Sequence, residues 1–169
     1  RHTCGLVEDR HPRWSPDGTR LAFYRTQQEV KGGPVTGSAL FIRDLATGAE
    51  LQLTAWDASR AEELDWSPDG RWIVFMDGDL GDPTTGRLSR VRPDGTGLEV
   101  LATFGDGVAP FRPRYTFDGV WILVADLRGG PDSAGGHLFA VPADGGEPDE
   151  FLLEFPGNPF IYGTLQPTP

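Results

Sequence analysis

Apolar residues along this 169-residue chain come in short runs, each introduced and closed by polar residues and turn formers. Leu21-Ala22-Phe23, Ile73-Val74-Phe75 and Ile122-Leu123-Val124 are the clearest, and each is separated from a preceding Asp-Gly pair by two residues. Runs this short, bounded by Gly, Pro and Asp, predict buried strands rather than helices. No stretch carries apolar positions at the three-and-four spacing of an amphipathic helix. The pattern predicts an all-β chain.

The runs belong to an internal repeat. RWSPDGTRLAF at 13–23, DWSPDGRWIVF at 65–75 and RYTFDGVWILV at 114–124 align, with Asp-Gly pairs beginning at 17, 69 and 118, so 52 and 49 residues apart. A second segment follows each: ALFIRDLATGAELQLT at 39–54, RLSRVRPDGTGLEVLA at 87–102 and HLFAVPADGGEPDEFLL at 137–153. In Ser-Pro-Asp-Gly, Ser suits the first turn position, Pro presets φ at the second, Asp tolerates the third and Gly supplies a left-handed fourth. Such a turn between two β-prone stretches makes a hairpin. A second hairpin turns at Thr47-Gly48, Asp94-Gly95 and Asp144-Gly145. Four short antiparallel strands per repeat is the signature of a β-propeller, in which stacked blades bury both faces of each small sheet. Trp14, Trp66 and Tyr115 hold the same place in each unit and are expected to fill the gap between sheets.

Residues 14–23 and 66–75 resemble the WD40-like repeat of TolB-type propellers: Trp-Ser-Pro-Asp-Gly, two variable residues, then an apolar run ending in Phe. Residues 115–124 depart from it, with Tyr for Trp, Thr-Phe for Ser-Pro and Val for the last Phe. The resemblance covers about residues 12–153 and is specific for fold, not for function. It implies six or seven blades and an extracytoplasmic, periplasmic setting in a bacterium. The same repeats occur in the propellers of prolyl-oligopeptidase-like peptidases.

The repeats define one propeller-type domain over 1–169, a partial propeller of three blades at about 12–54, 64–102 and 113–153. Residues 1–11 and 154–169 are left as end strands or remnants of adjacent blades. An open wedge exposes apolar faces and sheet edges at both ends. The chain is therefore a fragment, or a half-ring completed by a second copy, or a ring closed in an unusual way. Self-association into a homo-oligomer is the expectation.

Composition narrows the partners. A net charge of −10 with no Lys/Arg run disfavours nucleic acid, and no apolar run approaches a membrane span. Cys4 is the only cysteine, so no intrachain disulfide forms, and it reads as an ordinary thiol.

Candidate chemistry lies in the loops opposite the Asp-Gly turns: 24–38, 76–86 and 125–136 within blades, 55–63 and 103–112 between them. Asp77, Asp79 and Asp82 form a candidate weak Ca²⁺ site, although the spacing lacks the twelfth-position acid of an EF-hand. No other cofactor is expected. Trp56, with Arg60 and Glu62 in the same link and Arg128 in the loop of the third unit, is a candidate protein- or peptide-binding patch. His2, His11 and His137 share no metal-ligand spacing, and Ser133 in Pro-Asp-Ser-Ala-Gly lacks the context of a nucleophile elbow. The expected function is a non-catalytic, TolB-like module for protein–protein interaction or scaffolding, and not an enzyme. The alternative is the gating, substrate-selecting propeller of a larger prolyl-oligopeptidase-like peptidase.

Overall fold

The computed structural model describes residues 6–56, 62–78, 86–104, 110–126 and 135–154. Twelve strands among them form three four-stranded antiparallel sheets, each a meander in chain order. The first blade holds β1 (Leu6–Trp14), β2 (Arg20–Gln28), β3 (Val35–Asp44) and β4 (Glu50–Gln52). The second holds β5 (Glu62–Trp66), β6 (Ile73–Asp77), β7 (Arg87–Val91) and β8 (Glu99–Thr103). The third holds β9 (Pro110–Tyr115), β10 (Trp121–Asp126), β11 (Gly135–Pro142) and β12 (Asp149–Glu154). The fold is all-β and a partial propeller, as the repeat predicts. Backbones of successive blades come together at their first strands, β1 against β5 and β5 against β9, so these strands form the hub of the fan.

The Asp-Gly turns are tighter devices than their residue preferences suggest. Ser15 Oγ donates to Asp17 Oδ1 at 2.6 Å and accepts from the Arg20 amide at 2.9 Å, while Asp17 Oδ1 also accepts from the Thr19 amide. Ser67 and Asp69 repeat the arrangement, and so do Thr116 and Asp118 in the degenerate copy. A hydroxyl suffices at the first position, which is why Thr116 replaces Ser without loss. Gly18, Gly70 and Gly119 close the turns at φ of 69°, 68° and 73°, a region that costs a side-chain-bearing residue energy. Both turn types share one end of the blade: the Leu45 amide reaches the Thr19 carbonyl, and Ala143 reaches Val120.

Alternation along the strands sends apolar side chains to both faces, and the blades bury them pairwise. Ala22, Tyr24, Leu40 and Ile42 of the first blade pack on Leu64, Trp66, Ile73 and Phe75 of the second. Val74, Met76 and Leu88 on its other face pack on Ile122, Val124, Phe139 and Val141 of the third. Trp66 is 5% exposed and its indole N–H donates to the Arg13 carbonyl across the gap at 3.1 Å. Tyr115 is partly buried against the second interface.

Two expectations need correction. Trp14 is 63% exposed, not packed between sheets. It pairs with Leu21 on the face turned away from the second blade, and no described blade stands there. The stretch 24–38 is mostly strand rather than loop, because the first hairpin continues to Gln28 and resumes at Val35. Residues 6–11 are likewise continuous with β1.

The outer face of the first blade is partly covered from within. Phe23 and Phe41 stack across the strands with centroids 6.0 Å apart. The Arg25 guanidinium lies over both, 5.3 and 4.8 Å from their centroids, held by Asp9 at 2.7 Å and Glu50 at 3.0 Å. Hydrogen bonds to those two carboxylates raise the guanidinium's already high pKa further.

Candidate functional site at the hub

Each hub strand carries a bulge three residues before its Trp or Tyr. Pairing shifts between Arg10 and Arg13 in β1, between Glu62 and Leu64 in β5, and opposite Leu123 and Ala125 in β9. At the same point His11, Glu63 and Arg112 adopt φ of 52°, 64° and 54°. These are the only non-glycine residues with positive φ among those described. Left-handed backbone at bulky residues costs on the order of 1–3 kcal/mol each, and bulges commonly re-aim a side chain. Pro12 and Pro113 follow two of the bulges, where a strand can spare the N–H.

The re-aimed side chains meet on Glu63. Its carboxylate lies 3.6 Å from His11 Nδ1, 3.5 Å from Arg13 Nη2, 3.5 Å from Arg112 Nε and 3.1 Å from Arg114 Nη2. Glu63 is 14% exposed, whereas the four basic side chains are between 35% and 43% exposed and so reach solvent. Asp65 backs the cluster, accepting the Tyr115 amide at 2.9 Å. Burial pushes the Asp65 carboxyl above the ordinary carboxylate range, against the opposing pull of that amide and of Arg114. Arg114 also donates to the Leu64 and Pro113 carbonyls, at 3.3 and 2.7 Å.

The cluster is written in the repeat but was not among the sequence-predicted sites. The residues preceding the aromatic read His-Pro-Arg, Glu-Leu-Asp and Arg-Pro-Arg in the three units. Bases from the outer two blades therefore flank acids from the central one. The signal appears once the units are aligned backward from the Trp rather than forward.

Of the residues predicted as sites, Asp77 and Trp56 have described side chains, and each is engaged locally. Asp77 pairs with Arg87 at 3.1 Å, while Asp79 and Asp82 lie outside the described residues. No group of three His, Cys, Asp or Glu among the described residues stands close enough to hold a metal ion. Trp56 packs against Phe41 with centroids 5.8 Å apart, on the outer face of the first blade. Arg60 and Arg128 lie outside the described residues, and of Glu62 only the backbone is described. No helix of the described residues is long and apolar enough to cross a membrane.

The fold defines the class: a propeller domain, seen here as three blades. No protein-family model matches the chain. A curated relative, the uncharacterized peptidase YuxL of Bacillus subtilis (strain 168), is 32% identical over 77 residues. The match covers 46% of this chain and 11% of that protein. Among solved structures, the acylaminoacyl peptidase of Pyrococcus horikoshii superposes with a TM-score of 0.66 over 88% of this chain, at 12% identity. An oligogalacturonate lyase in complex with manganese gives 0.61 over 82% at 17% identity. Prolyl oligopeptidase B from Galerina marginata gives 0.59 over 88% at 13% identity. The chain spans 26%, 39% and 22% of those three chains. The expectation that the chain is not an enzyme is corrected by these findings: the curated relative is a peptidase and the structural neighbours are peptidases and a lyase, of which this chain covers only the propeller-like part.

Proposed function

We propose that this chain is the propeller portion of a prolyl-oligopeptidase-like peptidase, where it selects and admits peptide substrate. The carrying observation is the 32% identity to a curated peptidase, at a level where the solved structures alone speak only for fold. The superposition on two peptidases of that type, each over 88% of this chain, supports it. In this reading bond cleavage belongs to an α/β-hydrolase domain of the same polypeptide, and the blades supply a rigid wall around the approach to it. The function expected first, a TolB-like interaction module, gains no such support.

The test is the complete gene product. It should carry a Gly-x-Ser-x-Gly segment, hydrolyse short peptides and be labelled by a serine-reactive fluorophosphonate. A complete product with further Ser-Pro-Asp-Gly repeats, no hydrolase segment and no labelling would refute the reading.

A further inference from the structure

The two outermost flanks of the wedge complement each other in size, shape and charge. Aligned on the Asp-Gly pairs, Phe23 and Phe41 of the first blade correspond to Phe75 and Ser89 of the second and to Val124 and Phe139 of the third. Each of these pairs lies on the face that a blade turns toward its predecessor. On the opposite face, Tyr24 and Leu40 correspond to Met76 and Leu88 and to Ala125 and Leu138. Size is traded across the first interface, where Tyr24 and Leu40 stand opposite Phe75 and the small Ser89. At the outermost flanks the trade is reversed: the third blade offers Ala125 and Leu138, and the first offers Phe23 and Phe41. A close-packed joint needs small side chains on one side where the other is large.

The turns show the same order. Pro16 lies 3.7 Å from the place of a Cβ on Gly70, and Pro68 lies 3.5 Å from that of Gly119, so each turn rests on the next. At the ends of this stair Phe117, 89% exposed, stands in the proline's place, and a Cβ on Gly18 would meet nothing within 4 Å. The Trp66 indole donates to the Arg13 carbonyl across a gap, and the corresponding pair at the ends is the exposed Trp14 indole and the Arg114 carbonyl. Arg90 of the second blade pairs with Glu99 at 2.7 Å and reaches the Ala143 carbonyl of the third at 2.6 Å. The third blade carries Ala140 and Asp149 at those two places, while the first carries Arg43 where the third has Val141. An arginine entering from the opposite side thus has room left by Ala140 and an acid in the position of Glu99. Arg43 is 51% exposed and its contact with Glu50 is a loose 3.6 Å; Asp149 is exposed.

We propose that these flanks join between two copies of the chain: the third blade of each seats on the first blade of the other. The result is a two-fold ring of six blades, three from each copy, a number within the range in which propellers close. Phe117 covers Gly18, the Trp14 indole donates to the Arg114 carbonyl, Arg43 pairs with Asp149, and the Phe23–Phe41 stack fills the space over Ala125. The pairing stands independently of the peptidase reading, which concerns what the propeller serves.

The test is sedimentation equilibrium of this chain between about 1 and 200 µM, a range that spans weak to moderate association. The mass should rise from one chain to two and stop there, because a closed ring leaves no flank open. Phe117→Asp, by charge, and Ala125→Trp, by overfilling, should each raise the dissociation constant about tenfold or more. Arg43→Asp and Asp149→Arg should each weaken association several-fold, and the double exchange should recover most of the loss. Circular dichroism at low concentration checks that each variant folds as the parent does. A single chain throughout the range, growth beyond two, a dimer unmoved by Phe117→Asp, or no recovery in the double exchange would each overturn the proposal. Should Ala125→Trp not fold, Phe117→Asp and the charge exchange decide. A complete gene product that stays monomeric with a further Ser-Pro-Asp-Gly unit seated on Phe23 and Phe41 would also overturn it, and would leave the peptidase reading untouched. A two-copy ring in a product without a hydrolase segment would do the reverse.

Discussion

The same tryptophan occurs twice in the same turn, buried once and exposed once, so substituting each in turn isolates what packing between blades is worth. A Trp side chain buries about 200 Å² when fully covered, and apolar burial contributes about 25 cal/mol per Å². Trp66, at 5% exposure, therefore gains about 5 kcal/mol from burial, an upper figure because denatured chains are partly compact. Its indole N–H also satisfies the Arg13 carbonyl, a hydrogen bond worth about 1 kcal/mol. Arg20 lies over the ring at 5.2 Å and would lose that contact as well. Trp14, at 63% exposure, has little more than a third of its surface covered, worth about 2 kcal/mol. Trp66→Ala is thus expected to cost about 4 kcal/mol and Trp14→Ala less than 2 kcal/mol. Urea unfolding followed by far-ultraviolet circular dichroism, with each variant fitted to its own baselines, measures both. Equal losses in the two variants would refute the packing scheme, since one interface would then be mis-assigned.

Other perturbations test the turns and the first blade. The Ser15 hydroxyl, the Thr19 amide and its hydroxyl hold the Asp17 carboxyl at about 2, below its ordinary 3.8, so Asp17 favours the fold above its unfolded pKa. That contribution fades as pH falls from about 4 toward 2. Ser15→Ala should move the Asp17 carboxyl midpoint, followed by carboxyl-carbon NMR, back up toward 3.8, and an unmoved midpoint would contradict the assignment. Gly18→Ala meets no atom within 4 Å but must hold φ at 69°, so it should cost about 1 kcal/mol by thermal unfolding. A neutral result would mean the turn relaxes. The Tyr24 hydroxyl is buried without a hydrogen-bond partner among the described residues, and Tyr24→Phe should be neutral or stabilising by about 1 kcal/mol. A clear loss would reveal a partner for it. Arg25→Ala should uncover the Phe23–Phe41 pair and increase binding of a hydrophobic dye, whereas Lys31→Ala on the exposed loop should not.

The fold was legible because its information is local and repeated. Ser15, Asp17 and Gly18 specify a turn with their own side chains and backbone, and Leu21 to Phe23 specify a strand by composition. Three copies of that evidence point the same way. The burial of Trp14 was misjudged because it depends on a neighbouring sheet, which no property of residues 13–23 can supply. The hub cluster escaped for a related reason. His11, Glu63 and Arg112 are some fifty residues apart in sequence, and what joins them is a bulge that turns three side chains toward one another. Pro12 and Pro113 hinted at an irregular strand, but Glu63 has no such neighbour. Asp77, Asp79 and Asp82 drew attention by crowding along the chain, and Asp77 proves to be engaged by Arg87.

The exposure of Trp14 also makes the molecule its own optical gauge. Its twin, Trp66, sits in an apolar gap, while Trp14 is exposed on the outer face of the first blade, so its emission is expected at longer wavelength. The difference in fluorescence between this chain and Trp14→Phe isolates that single indole. Whatever sheet comes to rest on the first blade, from this polypeptide or another copy, would have to quench that red-shifted emission or shift it to the blue. Completion of the ring can thus be followed as a colour, without any label, at a position the repeat itself selected.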